Sequence, residues 1–233
     1  MSVRLEWEDL VSARVPVAPR HVFADGPQEL ARVLDPAMNL CIWRRALGTG
    51  LAAWLDRVVD EVEFNAQQEL DGAAPDASGL LHALPAGTHR DALRADIELL
   101  VRQYHSVTES PRVLATFARV THDMCRRFHV DAVGLRGLCT YAGAGTQWVP
   151  ESAALRGGLG KQGLSLRDTN LAVVPREGEV RSFERGWFGL LKGDAWPGNK
   201  GLGAIHRSPP VSDAGGRRLL LKLDVDPGRR LRA

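Results

Sequence analysis

The sequence changes its periodicity at Phe128, and this change constrains the fold more than any other feature. Before that point, apolar residues recur at helical spacing in the segments 50–64, 91–107 and 112–127, after one strand-like run at 39–45. Beyond it, short β-like runs alternate with glycine and proline at 135–148, 171–175, 187–191, 203–206 and 219–225. Such an order is typical of an α+β fold. We therefore predict helices packed on one side of an antiparallel β-barrel or sandwich.

The two halves are predicted to form a single domain over residues 1–233. The mainly helical portion covers 1–127 and the β-rich portion covers 128–233. The whole chain is long enough to bury a substantial core, whereas each half alone has little apolar content for independent folding.

Composition argues against a nucleic-acid or membrane partner. The net charge is only +2, from 30 basic and 28 acidic residues, so no basic excess attracts a polyanion. No run approaches the roughly 20 apolar residues that span a bilayer. The acidic, amphipathic segment 1–10 is unlike a signal peptide, which favours a cytoplasmic protein. Three cysteines without a CxxC pair argue against a disulfide framework and a thiolate zinc knuckle.

The chemistry of this chain is predicted to centre on Phe128-His129-Val130-Asp131 and on the distant His206. Alternate residues of a strand share a face, so His129 and Asp131 can reach one ion. Two imidazoles and one carboxylate form the facial triad that suits non-haem Fe(II) and leaves positions open for O2. The same ligands also accept zinc or manganese. A hydrogen-bonded Asp–His pair without metal is the plainer alternative.

Two arginines, Arg217 and Arg218, follow His206 just before the apolar strand 219–225. A guanidinium at this position can hold a carboxylate through two parallel hydrogen bonds. With HxD, a distal histidine and this arginine, residues 128–225 resemble the Fe(II)/2-oxoglutarate-dependent oxygenases. The resemblance implies a double-stranded β-helix (cupin-like) barrel, Fe(II), 2-oxoglutarate as co-substrate and O2. It also implies that Arg217 or Arg218 binds the far carboxylate, and strand alternation favours Arg218.

One feature departs from the oxygenase pattern. Many members of that class carry a small or hydroxyl residue after the arginine, whereas Leu219 and Leu220 stand here. This difference bears on the identity of the co-substrate. Within the run 140–148, Tyr141 or Thr146 could bind the co-substrate carboxylate and Trp148 could line the pocket. The alternative for this run is a glycine-punctuated hairpin with an aromatic core residue.

The chain as a whole also resembles a bacterial family, the domain of unknown function numbered 1826. The resemblance is carried by the segments 125–131, 139–148, 191–194 and 206–210. It supplies no catalytic assignment.

The sequence thus predicts an oxygenase that acts on a small molecule, an amino acid or a peptide. One alternative is a non-catalytic zinc-binding domain in which Cys125 or His122 supplies a fourth ligand. Another is a cupin-like, metal-dependent hydrolase or isomerase, for which Glu151 and Asp194 are the candidate bases.

Overall fold

The computed structural model describes residues 20–211 and 216–225. The acidic segment 1–10, which was compared with a signal peptide, lies outside the described residues. Among the described residues, none of the helices combines the length and the apolar character needed to cross a membrane.

Two sheets organise the described chain. In chain order the strands are β1 (His21–Ala24), β2 (Leu40–Trp43), β3 (Asn65–Asp71), β4 (Arg112–Val120), β5 (Leu135–Ala142), β6 (Gln147–Trp148), β7 (Arg181–Ser182), β8 (Phe188–Lys192), β9 (His206–Arg207) and β10 (Arg218–Val225). The large sheet has the order β1-β2-β8-β5-β10-β4-β3, and the small sheet has the order β7-β6-β9. Only β1 and β2 pair in parallel among these described strands.

Three α-helices accompany the sheets: α1 (Thr49–Glu61), α2 (Thr88–Thr108) and α3 (Leu166–Val173). The structure confirms the helices predicted at 50–64 and 91–107. Each presents an apolar stripe at helical spacing, and the stripe residues are buried, such as Leu55 and Val58 in α1. Short 3₁₀ helices lie at Pro27–Leu34, Ser78–Leu81, Glu151–Ala153, Arg156–Gly158 and Glu177–Glu179.

The large sheet has two differently covered faces. One face packs under α1 and α2 in the main core, which includes Tyr104, Phe117 and Leu221. The opposite face packs against the region of the small sheet. That second core contains Leu40, Ile42, Val120, Leu138, Trp148, Phe183, Leu191, Ala204 and Leu220. Residues that alternate along β5 and β10 therefore point either to the helices or to the small sheet.

Two predicted elements were wrong. The segment 112–127, predicted as a helix, begins with β4, which pairs with β3 on one side and β10 on the other. The segment 171–175, predicted as a strand, lies largely in α3. The side chain of Ser165 caps this helix by accepting a hydrogen bond from the backbone N–H of Asp168.

The α+β class is confirmed, but its predicted division into a helical half and a β-rich half is not. Residues 20–127 contribute four strands, β1 to β4, to the large sheet. The described strands form an open mixed sheet beside a small sheet, and they do not close into a barrel.

Candidate metal centre

Backbone pairing brings the histidines together. His129 and His206 form a two-way bridge in which each backbone N–H donates to the other residue's carbonyl at 3.0 Å. On its other side His206 pairs with Trp148 of β6. The HxD segment between β4 and β5 thus extends the edge of the small sheet, which brings Asp131 within reach of His206.

The three side chains converge. One ligand atom from each of His129, Asp131 and His206 lies within 4.8 Å of the others. Nε2 of His206 is 3.3 Å from Oδ2 of Asp131, and Nε2 of His129 is 3.7 Å from Oδ1. The two imidazole centroids are 4.5 Å apart. The structure therefore brings the sequence-predicted triad into one cluster.

Backbone carbonyls orient both imidazoles. Nδ1 of His129 lies 2.9 Å from the carbonyl oxygen of Arg127, and Nδ1 of His206 lies 3.0 Å from that of Ala204. A carbonyl only accepts, so each Nδ1 is assigned as the protonated nitrogen. In a neutral imidazole Nε2 then carries a lone pair. Both Nε2 atoms face Asp131, which is the arrangement of metal-ligating histidines.

The carboxylate of Asp131 has one satisfied and one unsatisfied oxygen. Oδ1 accepts a hydrogen bond from Nη1 of Arg136 at 2.7 Å. Oδ2 is buried and lacks a hydrogen-bond partner within the described chain. Two imidazole nitrogens and one anionic oxygen around one point form a donor set that a cation satisfies. The donor set therefore fits a divalent metal ion.

The electrostatics of Asp131 and His129 favour the forms of these two groups that bind metal. Burial opposes the ionised form of Asp131, but His206, Arg136 and His129 together outweigh it and lower the pKa of this carboxyl to about 2. Burial, reinforced by His206, lowers the pKa of His129 below its ordinary value. A carboxylate and a neutral imidazole are the forms that bind metal.

Arg218 is a buried cation. Its side chain is 1% exposed, and Nη2 donates to the hydroxyls of Thr140 and Thr146, each at 3.0 Å. Its Nε atom has no hydrogen-bond partner, and none of the described carboxylates pairs with it. Burial lowers the pKa of Arg218 to about 10, which leaves it cationic near neutral pH. An unpaired buried guanidinium indicates a binding site for an anion.

The metal cluster and Arg218 lie on the same side of the large sheet. Arg136, which contacts Asp131, alternates along β5 with Thr140, which contacts Arg218. Thr146 directly precedes β6, whose Trp148 pairs with His206. Both features therefore face the small sheet.

The other residues predicted to bind the co-substrate differ in whether they lie near Arg218. Arg217 is exposed and forms an ion pair with Asp60 on α1. Tyr141 lies on the helix-covered face, where its hydroxyl donates to Oδ2 of Asp96 on α2. Thr146 lies beside Arg218. Of the predicted residues, the structure therefore brings Arg218 and Thr146 together but places Arg217 and Tyr141 elsewhere.

Sequence reasoning missed Arg136. It follows Asp131 closely in the chain, but its role depends on a cross-strand register with Asp224 that no local pattern reveals. Gly193 belongs to the segment 191–194, one of those that carry the family resemblance. A Cβ atom there would lie 2.1 Å from the carbonyl oxygen of Val133 and 2.5 Å from that of Asp131. The Asp131 loop therefore requires glycine at this position.

None of the residues named for the alternative functions joins the triad. Cys125 is exposed, and neither it nor His122 joins the group of potential metal ligands found among the described residues. Glu151 accepts two hydrogen bonds from Arg156, both at 2.7 Å. Asp194 accepts from the backbone N–H of Gly201 at 3.1 Å.

Comparison with known proteins identifies the family. The protein-family model described as "Protein of unknown function (DUF1826)" matches residues 24–224, most of the chain. The chain belongs to the DUF1826 family. That membership confirms the resemblance stated from the sequence. No curated protein matches this DUF1826 chain significantly.

Among solved structures, this DUF1826 chain is similar to several proteins at low sequence identity. HygX from Streptomyces hygroscopicus with iron bound shares 13% identity, with a TM-score of 0.43 and coverage of 88% of this chain and 89% of that one. A Pseudomonas putida prolyl-4-hydroxylase shares 13% identity at a TM-score of 0.40, over 89% and 100%. The Fe(II)/(alpha)ketoglutarate-dependent dioxygenase TqaL shares 13% identity at a TM-score of 0.39, over 81% and 79%. Similarity at this level does not establish a shared activity.

Proposed function

We propose that this protein is a non-haem Fe(II)- and 2-oxoglutarate-dependent oxygenase that acts on a small molecule, an amino acid or a peptide. The observation that carries the proposal is the buried guanidinium of Arg218, which pairs with none of the described carboxylates and lies on the same side of the sheet as the triad. A triad alone suits several metal enzymes. A triad together with a separate site for a carboxylate suits a co-substrate that carries a metal-chelating end and a distant carboxylate.

His129, Asp131 and His206 would hold the metal through Nε2, Oδ2 and Nε2. Three protein ligands are fewer than Fe(II) takes, so positions remain for co-substrates. When bound, iron together with 2-oxoglutarate and O2 supplies the oxidation chemistry that side chains lack. The role of the triad is to fix the ion, and the two backbone carbonyls that hold Nδ1 keep both rings in position.

Arg218 would bind the carboxylate of 2-oxoglutarate that is remote from the metal. Its Nε–H lacks a partner within the described chain and is available to donate a hydrogen bond to a carboxylate. Thr140 and Thr146 hold Nη2, which limits the rotation of the guanidinium. Pairing with an anion would also offset the cost of burying this charge.

The surroundings of the site would exclude water. Apolar residues from both sheets, including Leu138, Trp148 and Leu220, pack between them. We further propose that the two sheets correspond to those of a double-stranded β-helix that remains open in the described part of the chain. A dry site strengthens the charge interactions that orient the co-substrate.

An anaerobic titration tests this proposal. Fe(II) and 2-oxoglutarate added to the purified protein should produce the weak visible charge-transfer band of a chelated keto acid. The variant His206→Ala should lose the band, whereas His82→Ala, which changes an exposed histidine outside the cluster, should keep it. Absence of the band from folded, iron-loaded wild-type protein would contradict the proposal.

Metal analysis tests the zinc alternative in the same preparations. Stoichiometric zinc that excludes 2-oxoglutarate would favour a closed, non-catalytic site. The hydrolase or isomerase alternative gains no support from Glu151 or Asp194, because both carboxylates already accept hydrogen bonds from other groups.

A further inference from the structure

We infer that Arg136 is a positioning residue that restricts Asp131 to one metal-binding oxygen and ties it to the strand that carries Arg218. The inference rests on the proposed metal site and adds a residue to it. Arg136 is not itself a ligand, since its guanidinium only donates hydrogen bonds.

The guanidinium of Arg136 bridges two carboxylates. Nη1 donates to Oδ1 of Asp131 at 2.7 Å, while Nε donates to Oδ1 of Asp224 at 2.8 Å and Nη2 approaches Oδ2 at 3.3 Å. The three side chains are 19%, 11% and 10% exposed for Arg136, Asp131 and Asp224. These bonds are therefore largely shielded from water, which strengthens them relative to surface pairs.

The sheet register fixes this bridge. Arg136 of β5 and Asp224 of β10 are direct cross-strand partners on the face of the small sheet. Since both strands lie inside the large sheet, each with neighbours on both sides, the guanidinium has little freedom to move. Asp131 lies in a loop and would otherwise be free to rotate about its side-chain bonds.

The bridge determines how Asp131 can bind a metal. Its Oδ1 is occupied by Arg136, whereas Oδ2 lies 3.3 Å from Nε2 of His206 and has no hydrogen-bond partner. A carboxylate without this restraint can bind through both oxygens, as carboxylates at metal sites often do. Binding through both oxygens would use a coordination position that the co-substrate needs.

The bridge also links the metal triad with the anion site at Arg218. Asp224 and Arg218 both belong to β10 and alternate on the same face. Arg136 thus connects the metal ligand Asp131 to the strand that presents the anion-binding guanidinium. Lys222, whose Nζ lies 3.5 Å from Oδ2 of Asp224, contacts only the far end of this bridge.

Manganese titrations of the full chain test the inference. Free Mn(II) measured by electron paramagnetic resonance gives the affinity, and water-proton relaxation gives the number of metal-bound waters. Arg136→Gln should bind Mn(II) about 10- to 100-fold more weakly, the range for residues that orient metal ligands. Its Mn(II) should also hold one water fewer, because Asp131 becomes free to bind through both oxygens.

Two further variants complete the experiment. Arg217→Gln makes the same substitution at an exposed position and should leave both readouts at wild-type values. Arg136→Lys supplies one ammonium that cannot hold both carboxylates, so its affinity should fall between those of wild type and Arg136→Gln, at least about threefold below wild type. Circular dichroism of the metal-free protein reports whether Arg136→Gln folds. If it does not fold, the Mn(II) affinity of Arg136→Lys tests the inference.

The outcomes separate the two proposals. Wild-type affinity for Mn(II) in a folded Arg136 variant, or an unchanged water count in folded Arg136→Gln, would overturn the inference while leaving the metal site intact. Failure of the folded wild-type protein to bind Mn(II), Fe(II) or Co(II) would instead overturn the proposed function.

Discussion

Nη2 of Arg218 lies 3.0 Å from the hydroxyl of Thr146, and this bond connects the large sheet to the chain that enters the small sheet. Arg218 belongs to β10, whereas Thr146 immediately precedes β6, where Trp148 pairs with His206. The bond therefore places a buried positive charge beside the strand that supports one of the candidate metal ligands.

Replacement of Arg218 by Met should abolish the binding of 2-oxoglutarate and increase the stability of the fold. Calorimetric titration with 2-oxoglutarate in the presence of Mn(II) should show no measurable binding, because the remote carboxylate loses its partner. Denaturant unfolding of the metal-free protein should show a gain of about 1–3 kcal/mol, because a buried, unpaired cation is replaced by an apolar chain of similar length.

Arg217→Met is the matched control for this prediction. Arg217 is exposed and pairs with Asp60, so its loss should leave 2-oxoglutarate affinity unchanged and stability within about 0.5 kcal/mol of wild type. Retention of 2-oxoglutarate binding by Arg218→Met would refute the assignment of the anion site.

Tyr141→Phe should affect stability and not binding. The hydroxyl of Tyr141 donates to Asp96 within the helix-covered core, away from the face of Arg218. Its removal should cost about 1 kcal/mol, since Arg45 still pairs with Asp96. Thermal unfolding and the 2-oxoglutarate titration measure the two effects. A large loss of 2-oxoglutarate affinity in stable Tyr141→Phe protein would restore the co-substrate role predicted for this residue.

Gly193→Ala should weaken the metal site through the backbone. The added methyl group would lie 2.1 Å from the carbonyl oxygen of Val133 and 2.5 Å from that of Asp131, so the loop must move. We expect Mn(II) affinity to fall at least about 10-fold and stability to fall by about 1–3 kcal/mol. Gly178→Ala, where a methyl group meets nothing within 4 Å, is the control and should change neither. Unchanged Mn(II) binding in Gly193→Ala would show that the loop position is not required.

The stability of the metal-free protein should fall with acid through Asp131. Its pKa is lowered from 3.8 to about 2, so as the pH drops the unfolded chain takes up this proton before the folded protein does. The contribution is fully present above about pH 4 and is lost as the pH falls towards 2, with a total of about 2 kcal/mol. Denaturant unfolding between pH 6 and about 3 measures the first part of this loss, about half of the total.

Asp131→Asn provides the reference for the pH experiment. An amide does not titrate in this range, so the variant should show a flatter dependence of stability on pH below about 4. Parallel pH profiles for the wild type and Asp131→Asn would mean that this carboxyl has no lowered pKa in the folded protein.

Local patterns were sufficient for some elements and ambiguous for others. The stripes of α1 and α2 fit only helical spacing, and both helices formed as predicted. Val113, Phe117 and Val120 fit a helical stripe, but Val113, Ala115 and Phe117 also fit the two-residue period of a strand. The ladders that β4 forms with β3 and β10 decide between these periods, and a short sequence window contains neither partner.

Some features of the candidate site likewise follow from local sequence, and others depend on the tertiary structure. The sequence by itself determined the candidate ligands His129, Asp131 and His206, because their residue types and the HxD spacing already carry the chemistry of a metal site. It also favoured Arg218 over Arg217, because alternation along a strand is a local property. Only the tertiary structure decided that Arg218 is buried and unpaired by any described carboxylate, that Tyr141 faces the helices and that Arg136 holds Asp131. These relationships depend on which strands become neighbours and in what register, and long-range packing sets both.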